Sequence, residues 1–346
     1  MFTMSEYFED LRSAVEPDTK YQTHAQKADD PVREHLRTDS SFAEHHVNTF
    51  LYGSYARCTA IGRIKDVDIV VITNYTTAAS PIAVLNKLRD SLNHLYSGSD
   101  LADQRRSIRV ERPLPDVPDS SLTLDVIPAI YQGGPDDPLW VPDRDKRTWV
   151  PSHPRGHMAY TSSLNSKSYQ GRYFVPMVKM MKWWWKYQLE LKRPSIESHQ
   201  RKPKGFWIET MSGQYVDGWK PSYPELIASL FTNSFEAFKS FRSSGRVAEL
   251  RDPGLPGSTI KSSITDNEFG FFLDTLEASL AVAQEAVSSS SESRAQELWQ
   301  SLFGKKHEVL ASLARGGTLL KSAAASTGLR FPNRPLAPRD PGGFAS

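Results

Sequence analysis

The apolar positions of this chain change period partway along it. Between residues 46 and 131 they come in short β-branched or alternating runs, and beyond about residue 157 they recur at helical spacing. HVNTFLYGS (46–54) reads as a strand running into a Gly-Ser turn, SYARCTAI (54–61) as one or two helical turns, and VDIVVIT (67–73) as a strong β-strand. Ile82, Leu85, Leu88, Leu92 and Leu95 fall on one face of a helix. RSIRVER (106–112) and SLTLDVIPAI (121–130) read as strands around a polar turn. Upstream, Tyr7, Phe8, Leu11 and Val15 suit a short amphipathic helix, and Asp30-Pro31 opens a second. Residues 132–157, rich in Gly, Pro and Asp, read as a loop joining two lobes. Helices are predicted over 174–192, 224–241, 266–287 and 293–304, with the serine-rich 288–293 as a link. From Leu329 the segment LRFPNRPLAPRDPGGFAS is predicted to be extended or disordered. No internal repeat is present.

Composition narrows the classes. The 346 residues are 39% hydrophobic and 24% charged, ordinary for a globular protein with a sizeable core. A net charge of +2 gives no reason to expect a dedicated polyanion binder. One cysteine, Cys58, excludes a disulfide framework and a cysteine-based zinc site, and fits a cytoplasmic protein. No apolar run reaches the ~20 residues of a membrane span, and the polar, acidic N-terminus does not read as a signal peptide.

The chemistry concentrates in two stretches. Asp66 and Asp68 are two apart on a predicted strand, so both carboxylates project from one face. So placed, they repel unless a cation lies between them. Hard oxygen ligands suit Mg²⁺, which also takes phosphate oxygens. Asp125, in LTLDVIP, is the one later acid embedded in a strong strand pattern and is the candidate third ligand. Three carboxylates from adjacent strands can hold two metals about 3.5–4 Å apart, able to activate a hydroxyl and steady a leaving pyrophosphate. Gly53-Ser54, about a dozen residues upstream, supplies a turn that lets backbone approach a phosphate, with a hydroxyl to donate to it.

These residues resemble the polymerase-β-like nucleotidyltransferase superfamily: a Gly-Ser turn, a paired-Asp strand and a distal Asp. The ordered set GSYARCTAI…KDVDIVV, LDVIPAI, VKMMKWW, DPGLPGSTI and Trp299 to Gly304 is similar to the bacterial CD-NTases, relatives of cyclic GMP-AMP synthase. The resemblance implies an α+β, two-lobed fold. A mixed α/β catalytic lobe with N-terminal helices would span residues 1–150, a mainly helical lobe 151–328 and a disordered tail 329–346. It implies condensation of ATP, and GTP, into a cyclic oligonucleotide that signals to an antiphage effector. It implies two Mg²⁺ ions, or Mn²⁺ in their place, on Asp66, Asp68 and Asp125, with Asp125 also drawing the proton from the attacking ribose hydroxyl. Gly53, Ser54 and Lys182 would bind the triphosphate, with Lys204 taking a contact that relatives make with a small hydroxyl residue. The tail is similar to tails that ubiquitin-transfer-like enzymes join to target amines. The alternatives are another polymerase-β-like transferase acting on RNA ends or proteins, and an inactive nucleotide-binding scaffold.

Other motifs take blander readings. Asp143 and Asp145 repeat the spacing of the Asp pair, but in VPDRDKRT they read as a solvated loop. Arg57 suits a phosphate contact or a structural salt bridge equally. Trp183, Trp184 and Trp185 fan over most of a helix, so packing is expected for at least one and an interfacial position for another. His153 and His157 flank Pro154 and Gly156, which are expected to break a helix there and preclude a metal pair. GGTLLKS (316–322) lacks the P-loop glycine before its lysine. Cys58 reads as a small packing residue.

Overall fold

The computed structural model describes residues 4–117, 120–191, 203–218, 220–242 and 244–314. The tail from Leu329 and the rejected 316–322 motif lie outside them.

A seven-stranded mixed sheet organises the first half. β1 (His46–Tyr52), β2 (Asp66–Thr73), β5 (Ser121–Tyr131), β4 (Ile108–Pro113) and β3 (Leu101–Asp103) lie side by side in that order. The apolar runs read from the sequence become the central pair, β2 and β5, which run parallel. Alternation then assigns faces. Val67, Ile69 and Val71, with Leu124 and Val126, pack under α3 (Asp30–Thr38) and α5 (Pro81–Leu95). Val70 and Ile72, with Ile127 and Ala129, form a smaller core on the other face. Asp66 and Asp68 share that second face, at the end of a central strand where its apolar cover has not begun.

Residues 132–157 are not a plain loop. β6 (Leu139–Asp143) and β7 (Thr148–Ser152) form a hairpin that extends the sheet from the end of β5. Pro142 and Pro151 hid it, yet β7 is an edge strand, where a missing N–H costs little. Pro154 does not break a helix but starts one: α6 (Pro154–Lys167) has it in its first turn, where its absent donor would be unpaired anyway. Asp143 is fully buried, held by Arg105 (2.8 Å) and Arg106 (3.2 Å), while Asp145 alone stays solvated.

The second half is helical. α7 (Phe174–Leu191), α8 (Gly205–Tyr215), α9 (Tyr223–Phe238), α10 (Asp266–Ser288), α11 (Glu292–Phe303) and α12 (Lys306–Ala314) enclose an aromatic core. α1 (Met4–Val15) joins it through Tyr7, Phe8 and Leu11, although it precedes the sheet in the chain. Between α1 and α3 lies α2 (Thr19–Gln26), which the sequence pattern did not signal. All three tryptophans at 183–185 are core residues: the Trp183 indole donates to the Phe303 carbonyl (2.7 Å) and Trp184 to Ser279 Oγ (3.0 Å). None is interfacial. A two-stranded ribbon, β8 (Leu250–Arg251) and β9 (Thr259–Ile260), frames the turn at 252–258. Among the described residues, no helix is long and apolar enough to cross a membrane.

Candidate active site

The carboxylates meet because of strand register. Asp68 pairs directly with Asp125 across the parallel β2–β5 ladder, and Asp66 pairs with Thr123. Neighbouring strands lie ~4.8 Å apart, so Asp68 and Asp125 project side by side, with Asp66 two residues away on the same face. Asp125 is buried, Asp68 half-buried and Asp66 exposed, a gradient from core to solvent. Burial, then the charge of Asp125, push the Asp68 carboxyl up to about 7, against the smaller pull of Arg57. Carboxylate oxygens are hard donors of the kind divalent cations take.

On its other flank β2 pairs with β1, and Tyr52 stands opposite Asp68. The next residue, Gly53, has φ +78° and turns the chain over that carboxylate. A Cβ there would lie 1.8 Å from Asp68 Oδ2. The short helix α4 (Gly53–Ala56) follows. The turn closes on itself: the amides of Thr59 (2.8 Å) and Ala60 (3.1 Å) donate to the Ser54 carbonyl. The register and the turn thus bring Gly53 against Asp68, with Asp125 directly across from it and Asp66 two residues away. Cys58, by contrast, is exposed at φ +58° rather than packed, because the chain needs a left-handed residue to leave α4.

Two sequence-derived cations stand elsewhere. The Lys182 amine, on α7, donates to Glu209 Oε2 (2.9 Å), the Thr59 carbonyl (3.1 Å) and Thr59 Oγ1 (3.0 Å). It is therefore one layer behind the turn and paired with a buried acid. Lys204 is exposed at the N-cap of α8, and the following Gly205 lies against the Lys182 stem. Arg57 makes a salt bridge: Nε donates to Glu209 Oε1 (2.7 Å), and the guanidinium lies over the Phe206 ring (4.7 Å).

The roles of three residues escaped sequence reasoning. Arg109, opposite Asp125 on β4, grips its carboxylate with two hydrogen bonds of 3.1 and 3.0 Å. Glu209, an acid inside the apolar run FWIETM, could have been flagged as needing a cation. His157 links the turn to the helical half. Its Nδ1 lies 2.8 Å from the Tyr52 hydroxyl and its Nε2 donates to Asp252 (2.7 Å). Burial works to raise the Asp252 carboxyl, but that bond and the Gly254 and Leu255 amides outweigh it and hold it below the usual range. His153 turns instead to the Gly254 carbonyl (2.6 Å), so the two histidines form no metal pair.

A separate group, His35, Asp39 and His94, brings two imidazoles and a carboxylate together on the helix layer covering the opposite sheet face. His35 Nε2 lies 2.8 Å from the Ser91 carbonyl and His94 Nδ1 lies 2.7 Å from Asp39, hydrogen bonds that account for the cluster.

The chain is similar to known proteins over its whole length. Residues 2–165 match the Second Messenger Oligonucleotide or Dinucleotide Synthetase domain. A protein of Acinetobacter sp. named cyclic AMP-AMP-AMP synthase is 31% identical over 359 residues, covering 100% of this chain and 98% of that protein. Among solved structures, the CD-NTase CdnG of Bradyrhizobium diazoefficiens, in complex with GTP, superposes with a TM-score of 0.67 at 13% identity. It covers 90% of this chain and 97% of that one. The CdnC of E. coli MS115-1, in a complex with HORMA-deltaN, gives a TM-score of 0.65 at 18% identity over 86% of this chain and 96% of that one. These likenesses show the fold.

Proposed function

Because this chain belongs to the bacterial CD-NTases of the polymerase-β-like nucleotidyltransferase superfamily, we propose that it condenses nucleoside triphosphates into a cyclic oligonucleotide second messenger. It is a nucleotidyltransferase, and the observation that carries the reading is the register placing Asp68 beside Asp125 beneath the Gly53 turn. The name of the Acinetobacter relative supports ATP as a substrate. GTP is the second candidate.

The chain's own residues divide the work. The Gly53-Ser54 turn receives the triphosphate, with the Ser54 hydroxyl donating to a phosphate oxygen. Asp66, Asp68 and Asp125 would hold two Mg²⁺ ions, or Mn²⁺, whose charge, when bound, supports the attacking oxygen and the departing pyrophosphate. Asp125 takes the proton of the attacking ribose hydroxyl. Arg109 holds the Asp125 carboxylate in the plane set by its two hydrogen bonds, so the acceptor is oriented before substrate arrives. Lys182, whose amine is held by Glu209 and Thr59, and the exposed Lys204 would supply further phosphate contacts. The product would act in the cytoplasm on an antiphage effector, and the tail at 329–346 would be the substrate of a ubiquitin-transfer-like enzyme.

Incubation with labelled ATP, GTP, CTP and UTP in the presence of Mg²⁺, followed by phosphatase, tests the reading. A phosphatase-resistant product that retains label from the α-phosphate and none from the γ-phosphate is expected. Label transferred to RNA or protein, or linear products only, would replace cyclisation with another transferase activity.

A further inference from the structure

The phosphate-binding turn is clamped from behind by one buried acid. Glu209 is 4% exposed, and its two oxygens take five hydrogen bonds from three directions. Oε1 accepts from Arg57 Nε (2.7 Å) and Thr161 Oγ1 (3.2 Å); Oε2 accepts from Thr59 Oγ1 (2.8 Å), Lys182 Nζ (2.9 Å) and Arg57 Nη2 (3.4 Å). Arg57 and Thr59 belong to the segment leaving the turn, Lys182 to α7 and Thr161 to α6. Thr59 is the critical member. Its hydroxyl donates to Glu209, while its amide donates to the Ser54 carbonyl at 2.8 Å. Glu209 is thus two hydrogen bonds from the backbone of the residue assigned to phosphate.

Stability alone is a weak reason for such a group. A buried ion pair is often no better than apolar residues of the same volume, because desolvation offsets the attraction. Position is a better reason. A turn that must present a hydroxyl and amides to a ligand at ångström accuracy needs support from groups whose own rotamers are locked. We propose that Glu209 is a positioning residue for the triphosphate: through Thr59 and Arg57 it fixes the Gly53-Ser54 turn that receives the phosphates. Lys182 is the counter-ion that lets the carboxylate stay charged there. The inference rests on the reading of that turn as the triphosphate site.

Steady-state kinetics with ATP separate the possibilities. Glu209→Gln keeps the shape but replaces one acceptor oxygen with a donor. Thr59→Val, neutral and of similar shape, removes the hydroxyl that links Glu209 and Lys182 to this segment while leaving the Arg57–Glu209 pair in place, and decides the matter if Glu209→Gln fails to fold. Both are expected to raise KM for ATP, by about tenfold and about threefold, with kcat within about threefold of wild type. Thr59→Val should melt within a few degrees of wild type. Unchanged KM in a folded variant would make Glu209 a structural ion only and overturn the proposal. So would a fall in kcat at constant KM, which would locate its influence at the carboxylates. Ser54→Ala, measured alongside, is expected to raise KM. If it does and the Glu209 and Thr59 variants do not, only the positioning role fails; if Ser54→Ala leaves KM unchanged, the triphosphate assignment of the turn fails with it.

Discussion

Gly53 stands so close to Asp68 that a Cβ added to it would lie 1.8 Å from the Asp68 Oδ2 atom. The turn and the carboxylate are therefore one construction: the backbone proposed to approach the phosphate also walls the carboxylates proposed to hold the metal. With φ at +78°, any other residue is strained as well as obstructed. Gly53→Ala should displace Asp68 and lower kcat/KM by at least about a hundredfold, the order expected for about an ångström of misplacement in a catalytic group. The fold should remain cooperative by circular dichroism melting. An alanine variant of near-normal activity would mean that Asp68 can turn away without loss and is not a ligand.

Replacing both members of the pair tests the cluster directly. Asp66→Asn with Asp68→Asn is isosteric, removes two negative charges and relieves repulsion around Asp125. Turnover should be lost while the folded state melts at an equal or higher temperature in the absence of divalent cations. Product formation at near wild-type rate would overturn the site.

The metal-free protein should carry a pH signature of that crowding. Burial, then Asp125, raise the folded Asp68 carboxyl to about 7, above its ordinary value of 3.8. Between those values the folded state binds a proton that the unfolded chain has released, so stability falls as pH rises through that window and levels off above it. Melted in chelator, wild type should lose ground to Asp68→Asn between about pH 4 and pH 7, and Mg²⁺ added at pH 8 should restore wild type more than the variant. Parallel melting curves for the two proteins across that range would refute the effect.

What the sequence made legible here is local. The Asp66–Asp68 spacing, the apolar run behind it and the glycine before a serine each follow from backbone geometry within a few residues. The helical half was legible from periodicity. Partnerships across the chain were not. In sequence Asp143 reads as solvated, because its neighbours Arg144 and Lys146 offer ready counter-ions; the cations that hold it, Arg105 and Arg106, lie far upstream. Arg109 sits at an unremarkable position in an alternating strand, and only the β4–β5 register brings it to Asp125. Lys182 was assigned from resemblance, and Glu209, which holds it, gave one faint sign: an acid between Ile208 and Met211, both fully buried.

The tryptophan run offers the clearest separation of packing from recognition. Trp184 has no exposed surface, touches Phe231 at a ring separation of 5.0 Å, and donates to Ser279. Nothing of its ring faces the cleft, so it cannot stack on a base without unfolding the helical core. Trp184→Phe removes ring volume and leaves the Ser279 hydroxyl without its donor. A loss of about 1–3 kcal/mol of stability is expected from the cavity and the broken hydrogen bond. Denaturant titration should register that loss, while KM for ATP, measured well below the new melting temperature, stays within about twofold of wild type. A selective rise in KM with unchanged stability would place this ring against the nucleotide and would require the helical core to open during turnover.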